Sequence, residues 1–188
     1  MEPCQARFSA HMTETDFWKL IDSVRHSVST DTEMPALLVD RLKRLSIQEI
    51  IDFGRLWRAA SIAAYDEHVW AAAYAVLEGC SDDTFSDFRE WLIAQGRARY
   101  EGVLANPDSL AEMELRLKPE EIPNLGFSFG GVVFDAYEAK TGLKDLCEVL
   151  GPIPASAWHL KNEGIWGDGD ESLKLVVPRL YAKFYART

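Results

Sequence analysis

Apolar residues recur at intervals of three and four along most of this chain, and that periodicity limits the possible folds more than any other feature. Phe17, Leu20, Ile21 and Val24 give one example, just after Thr13. Such spacing aligns apolar side chains on one face of an α-helix. Alternation of apolar and polar residues, which is typical of a half-buried strand, never extends beyond about four residues. The sequence therefore predicts a mainly α fold.

Start and stop signals divide the periodic pattern into helices. Ser46 and Glu49 have the spacing of a capping box, in which each side chain binds the backbone N–H of the other residue. A second capping box is predicted from Ser109 to Glu112, and Gly79 and Gly96 are placed to end helices. The run that starts at Ser46 is compatible with one long helix or with two that break near residue 65. Helices are predicted over residues 13–26, 37–45, 46–78, 81–96, 109–115, 132–140 and 143–150.

The C-terminal third departs from this pattern. Residues 119–131 are rich in Pro, Gly and Phe, so we expect an irregular connection that packs on the core. Strands are expected at most as short pairs near residues 172–177. The predicted fold class is a mainly α, single-domain array of helices with an irregular C-terminal third that contains aromatic, Pro and Gly residues.

One domain accounts for nearly the whole chain. A length of 188 residues is that of one ordinary domain, so residues 13–188 are assigned to a single helical domain. Residues 1–12 are assigned to an N-terminal extension or a remnant of cloning, because Met12 immediately precedes the first helix-start signal.

Composition narrows the classes of function. The chain has 30 acidic residues against 20 Lys and Arg, a net charge of −10, which argues against binding of nucleic acid or of an anionic membrane. We find no stretch of the about 20 apolar residues that a membrane-spanning helix needs, and no secretory signal. Three widely spaced cysteines fit neither a disulfide framework nor a metal-binding pair. We expect a cytoplasmic protein that uses no cofactor.

A dense polar cluster follows Gly79 and has two interpretations. Its aspartates can share one helix face and ligate a hard cation. The same residues are also what a helix N-terminus requires, because hydroxyl and carboxylate groups there compensate free N–H groups and the helix dipole. We favour the second interpretation, and we treat an activated thiol in this cluster as the less common case. The cluster consists of Cys80, Ser81, Asp82, Asp83, Asp87, Arg89 and Glu90, and the site candidates in it are the first six.

Three further side chains are candidates for a site. His68 lies in a polar interruption between two helical runs, where it can act as a general base or simply mark a helix break. We favour the helix break. Trp158 and Trp166 lie in irregular segments, and exposed aromatic residues in such places are common in protein-binding hot spots.

Several motifs together resemble one protein family. They are Phe17-Trp18-x-Leu20-Ile21, Trp70-x-Ala-Ala-Tyr74, the long segment from Gly79 to Arg97 that includes Asp87-Phe88-Arg89-x-Trp91, and Asn106-Pro107-Asp108-Ser109. The chain resembles the bacterial domain-of-unknown-function 4240 family from about Thr13 to Leu115, with a weaker similarity at Pro178-x-Leu180. The resemblance implies a helical protein of unassigned activity and directs attention to residues 80–95.

Two functional hypotheses follow. The first is a non-enzymatic protein-binding or regulatory protein, such as an inhibitor or immunity-type partner of a basic protein, since negative charge accelerates encounter with such a partner. The alternative is a small metal-dependent hydrolase that uses Asp82, Asp83 and Asp87. The sequence indicates a protein partner, no nucleic acid and no membrane, and it predicts no oligomeric state.

Overall fold

The computed structural model describes residues 11–116, 118–167 and 170–185, so residues 1–10 of the assigned extension lie outside the described part. Within that part the chain is helical, with no β-strand and one isolated parallel bridge between Asp66 and Lys161. The predicted mainly α class is confirmed. The helices are α1 (Glu14–Ser27), α2 (Met34–Leu42), α3 (Ile47–Ala63), α4 (Glu67–Leu77), α5 (Asp82–Ala94), α6 (Arg97–Ala105), α7 (Ile122–Thr141), α8 (Leu146–Leu150), α9 (Asp170–Val176) and α10 (Pro178–Leu180), which continues as a π turn over Tyr181–Tyr185.

Local capping chemistry fixes the starts of several helices. Thr13 caps α1 and Ser46 caps α3, each in a complete capping box. Ser81 caps α5, where its hydroxyl accepts a hydrogen bond from the Thr84 N–H at 3.3 Å. These starts agree with the sequence predictions, because a cap needs only residues within one turn of each other.

The long run after Ser46 forms two helices with a break at residues 64–66. Asp66 begins the second of them by accepting a hydrogen bond from the His68 N–H at 2.9 Å. The same break is tied to the C-terminal segment, since Glu67 N–H donates to the Lys161 carbonyl at 2.9 Å and Lys161 N–H donates to the Tyr65 carbonyl at 3.2 Å. The break near residue 65 is therefore confirmed.

Residues 119–131 are not an irregular connection, and that prediction is wrong. A single 3₁₀ turn, Pro119–Glu121, leads into the 20-residue helix α7. The helix includes Gly126, Gly130 and Gly131, which lower helix propensity. Tertiary contact overrides this preference: an added Cβ at Gly126 would lie 1.9 Å from the Asp87 carbonyl oxygen of α5, so only glycine permits this close crossing of the two helices.

One smaller prediction is also wrong. The helix expected over residues 109–115 is a 3₁₀ helix, Pro107–Glu112. Strands were expected at most as short pairs near residues 172–177, and these residues lie in α9 and the turn after it. The irregular part of the C-terminal third lies mainly at residues 151–167, as far as the chain is described.

The core is aromatic and centres on α3, α5 and α7. Phe17 of α1 contacts Phe53 of α3 at a ring-centroid distance of 4.9 Å, and Trp57 of α3 lies 6.2 Å from Phe129 of α7. Trp91 of α5 is fully buried. Burial of such side chains stabilises the folded state by about 1.5–3 kcal/mol each, and it holds α3, α5 and α7 in a fixed arrangement.

The C-terminal end packs against the 3₁₀ helix at residues 107–112. The buried Asp108 carboxylate accepts hydrogen bonds from the backbone N–H groups of Arg179 at 3.0 Å and Leu180 at 2.9 Å. It also accepts one from Arg179 Nε at 3.0 Å. One carboxylate thus anchors α10 to the body of the fold. Among the described residues, no helix combines the length and the apolarity that crossing a bilayer demands.

Candidate functional site

A cleft of about 590 Å³ opens between α3, α5 and α7 and is closed on its remaining side by α8 and residues 151–158. The residues that line the cleft recur at helical spacing. Residues 54, 57, 58, 61 and 62 of α3, together with residue 65 in the break after it, lie on one side, and residues 82, 83, 86, 89 and 90 of α5 lie on one face. The cleft therefore arises where three helix faces meet that are far apart in sequence.

The outer part of the cleft is apolar and partly exposed. Trp158 is 67% exposed, Phe134 of α7 is 43% exposed and Ile153 is 40% exposed, and all three line the cleft. Val133 and Leu150 continue this surface inward. Large apolar side chains that converge on one opening are typical of binding sites.

Glu90 of α5 lies at the inner end of the cleft and bridges α5 to α3. Its carboxylate accepts one hydrogen bond from the indole N–H of Trp57 and another from the Ser61 hydroxyl at 2.7 Å. Burial raises the pKa of the Glu90 carboxyl above its ordinary value, although both hydrogen bonds and Arg89 oppose that shift. Both of its oxygens are thus engaged within the protein.

Arg89 also faces the cleft and is held by α3. Its Nη1 donates to the Ser61 carbonyl at 2.9 Å, and the guanidinium lies over the Tyr65 ring at 4.9 Å and the Phe85 ring at 5.1 Å. Its Nε is buried against these groups without a hydrogen-bond partner. Burial lowers the pKa of the Arg89 guanidinium.

A second arginine at the cleft, Arg58, also makes its hydrogen bonds within the protein. Arg58 Nη1 donates to the carbonyl oxygens of Gly151 at 2.8 Å and Leu150 at 3.3 Å. These bonds attach the segment after α8 to α3. Arg58 therefore positions the wall of the cleft that carries Ile153 and Trp158.

Asp82 and Asp83 form an acidic rim at the mouth of the cleft. They occupy the first turn of α5, are exposed, and line the opening, while Ser81 next to them makes the capping bond. Negative charge in a first turn interacts favourably with the helix dipole. The expected helix cap is confirmed for Ser81, and the aspartates add charge at the rim without taking part in that bond.

The other residues of the predicted polar cluster lie beside the cleft. Burial raises the pKa of the Asp87 carboxyl, and the negative charge of Asp83 adds to this shift. Burial also raises the pKa of the Cys80 thiol to about 12, so it stays protonated at neutral pH. The Cys80 carbonyl accepts a hydrogen bond from the Trp70 indole at 3.0 Å. Cys80 thus packs against the fold and does not have the thiolate that a nucleophile requires.

His68 and Trp166 are not among the residues that line the cleft. His68 Nδ1 lies 3.2 Å from the Asp66 carboxylate in the cap of α4. Trp166 packs edge-on against Tyr74 at a centroid distance of 4.9 Å. Of the side chains proposed from sequence, the fold brings Asp82, Asp83, Arg89 and Trp158 together at one cleft.

Within the described part of the chain, no three His, Cys, Asp or Glu side chains are arranged to hold a metal ion. The carboxylates of Asp82 and Asp83 share the rim, but Asp87 is not part of the cleft lining. The metal-ligand interpretation of these three residues therefore remains a hypothesis for which the fold offers no formed ligand set.

Sequence reasoning placed Glu90 in the polar cluster without giving it a role, and it missed Ser61 and Trp57 as site residues. Their positions carry a signal, because residues 57 and 61 are one turn apart, and so are residues 86 and 90. Such spacing shows which residues share a face of one helix. It does not show that the two faces meet, since Ser61 and Glu90 are 29 residues apart in sequence.

Comparison with known proteins places this chain in a family. The model of the family described as "Protein of unknown function (DUF4240)" matches residues 12–139. This confirms the resemblance indicated by the motifs and extends it beyond Leu115 through most of α7. The matched region includes α3, α5 and most of α7, whereas the wall formed by α8 and residues 151–158 lies outside it. No curated protein and no solved structure matches the chain.

Proposed function

Because the chain belongs to the DUF4240 family, whose description carries no activity, we propose its function from the cleft itself. The protein is a non-enzymatic binding or regulatory protein, and the cleft takes an apolar side chain from a basic segment of a partner protein. The observation that carries this proposal is that Trp158, exposed by 67%, and the acids Asp82 and Asp83 lie at one opening.

The state of the inner polar groups supports an apolar occupant. Glu90 accepts hydrogen bonds from Trp57 and Ser61, and Arg58 donates to two carbonyl groups of the neighbouring wall. Arg89 donates to the Ser61 carbonyl. Breaking such bonds to bind a polar ligand would cost about 1–3 kcal/mol for each buried group left unpaired. The apolar wall and the rim acids remain available without that cost.

Charge supports a basic partner. The chain has a net charge of −10, and the rim of the cleft carries Asp82 and Asp83. A field of this sign attracts a basic protein and raises the rate of encounter. The apolar wall then supplies the short-range contact, as in hot spots built around a tryptophan.

Two free thiols support a reducing location. Cys80 and Cys147 are both unpaired in the structure, and free thiols are usual where glutathione and thioredoxin keep cysteines reduced. We therefore place this binding function in the cytoplasm.

The experiment is a selection of random peptides on the immobilised full chain. We expect enrichment of peptides that combine Lys or Arg with Leu, Phe or Trp. For a selected peptide, Trp158→Ala is expected to weaken binding about thirtyfold, as for an interface hot spot. The double variant Asp82→Asn/Asp83→Asn is expected to slow association and to weaken its dependence on salt.

Matched controls keep the result specific to the cleft. Leu175 is 83% exposed but does not line the cleft, so Leu175→Ala should leave the affinity unchanged. Glu163→Gln/Glu171→Gln removes the same charge at exposed positions elsewhere. Selection of acidic peptides, or equal losses in the cleft variants and the controls, would refute the proposal.

A further inference from the structure

The apolar surface of the cleft continues along the outward face of α7. Phe134 lines the cleft, and Phe127, seven residues earlier, is 76% exposed. Seven residues are two helical turns, so the two rings lie on the same face of α7 about 10 Å apart. This face is therefore an extension of the cleft beyond its mouth.

On this face of α7, the two positions one turn from each ring are both glycine and carry no side chain. Gly130 and Gly131 lie there, and among the described residues nothing comes within 4 Å of a Cβ added at either position. Gly126 of the same helix differs, because a Cβ added there would lie 1.9 Å from the Asp87 carbonyl oxygen. Internal packing thus accounts for Gly126 but not for Gly130 and Gly131. The result is a shallow notch in which another backbone can approach α7 closely.

The recognition mode follows from what the surface offers. The described part of the chain has no strand, so it provides no sheet edge to which a partner strand could add. An apolar stripe along one helix, with a notch between two large side chains, instead fits the apolar face of a second helix.

Charge identifies the kind of helix. Asp82 and Asp83 border the cleft on the α5 side, and Asp135 is exposed on α7 next to Phe134. A helix with Lys or Arg beside its apolar stripe complements this rim. A second copy of the chain does not, because each copy has a net charge of −10.

We infer that the partner segment is a basic amphipathic helix, which lies along Phe127, the Gly130–Gly131 notch and Phe134 and places one apolar side chain in the cleft beside Trp158. This inference rests on the proposed function and specifies the conformation of the ligand. The helix gains close contact at the notch and ion pairs at the rim, in the manner of helix-in-groove recognition.

The test uses three synthetic peptides of about 18 residues, a length that allows a helix to form on binding. The first contains Leu at helical spacing and Lys elsewhere, the second has the same composition in an order without that spacing, and the third has Glu in place of Lys. We expect calorimetry with the full chain to give at least a tenfold higher affinity for the first peptide than for either other, with a gain of helical circular dichroism.

Variants of α7 locate the binding surface. Gly131→Leu fills the notch and Phe127→Ala removes an exposed ring, and each should weaken binding of the first peptide about tenfold. Gly102→Leu is the matched control, because Gly102 also lies within a helix with nothing within 4 Å of an added Cβ, but on α6. It should leave the affinity unchanged. Melting temperatures establish whether each variant is folded. If Gly131→Leu does not fold, Phe127→Ala tests the binding surface by itself.

The outcomes separate this inference from the proposed function. Equal binding of the first two peptides, with loss on Trp158→Ala but no loss in the α7 variants, would overturn the helical mode and leave the cleft as the binding site. Binding of none of the peptides, together with a peptide selection that enriches no basic sequence, would refute both. Self-association of the chain that is lost on Phe127→Ala would assign the surface to a second copy and overturn the inference.

Discussion

At the scale of single residues, the crossing of α5 and α7 depends on the missing side chain of Gly126. We predict that Gly126→Ala destabilises the protein by about 1–3 kcal/mol or more, because its Cβ would lie 1.9 Å from the Asp87 carbonyl oxygen and force the helices apart. Gly131→Ala is the matched control and should stabilise the protein by about 0.5–1 kcal/mol, since its Cβ meets open space. Urea unfolding measures both, and equal effects would contradict the described crossing.

Glu90 gives a second prediction at this scale, through the dependence of stability on pH. Burial raises the pKa of its carboxyl above the ordinary value of 4.5, so the folded state binds this proton more tightly than the unfolded state does. Its contribution to the free energy of unfolding is therefore largest at low pH, and it falls as the pH rises from 4.5 until the folded-state carboxyl has also ionised.

Glu90→Gln cannot ionise, so the stability of the original protein relative to this variant should decline over that pH range. Urea unfolding from about pH 4.5 to about pH 7.5 measures the difference. Glu163→Gln, at an exposed position, is the control and should give a constant difference. A constant difference for Glu90→Gln as well would mean that burial does not perturb this carboxyl.

At the scale of secondary structure elements, Asp108 anchors the C-terminal helix α10. The Asp108 carboxylate accepts hydrogen bonds from the backbone N–H groups of Arg179 and Leu180 and from Arg179 Nε, and Asp108→Asn replaces it by a neutral amide. We predict a loss of about 1.5–3 kcal/mol in the docking of α10, as for a hydrogen-bonded charge. Limited trypsin digestion should then cut faster at Arg179.

The control for this prediction is the neighbouring acid Glu112. It pairs with the same arginine but is exposed, so Glu112→Gln should change the digestion rate little. Faster digestion of the Glu112 variant than of the Asp108 variant would show that the surface pair, and not the buried carboxylate, holds the C-terminal end.

The same scale shows which elements a sequence can predict. The starts of α1, α3 and α5 were predictable, because Thr13, Ser46 and Ser81 act on N–H groups within one turn of themselves. The first half of α7 was not. Its glycines disfavour a helix locally, and the contact that requires glycine at position 126 comes from Asp87, which lies in another helix.

At the scale of the whole molecule, the cleft is a product of packing. The contributing faces of α3 and α5 could be read from helical spacing, and Asp82, Asp83, Arg89 and Trp158 were singled out as candidates. Their convergence with Glu90 and Ser61 depends on how α3, α5 and α7 pack, which no local pattern encodes. The acidic charge, by contrast, is a property of composition and agrees with the rim that the fold presents.

The central claim is that this cleft, together with the face of α7 beside it, binds a basic segment of another protein. Hydrogen exchange of the full chain with and without a selected basic peptide tests it most directly. The account predicts slower exchange at residues 58–65, 82–90, 127–134 and 152–158, with residues 14–27 of α1 unchanged. Protection confined to other helices, or a bound peptide that protects none of these four segments, would contradict it.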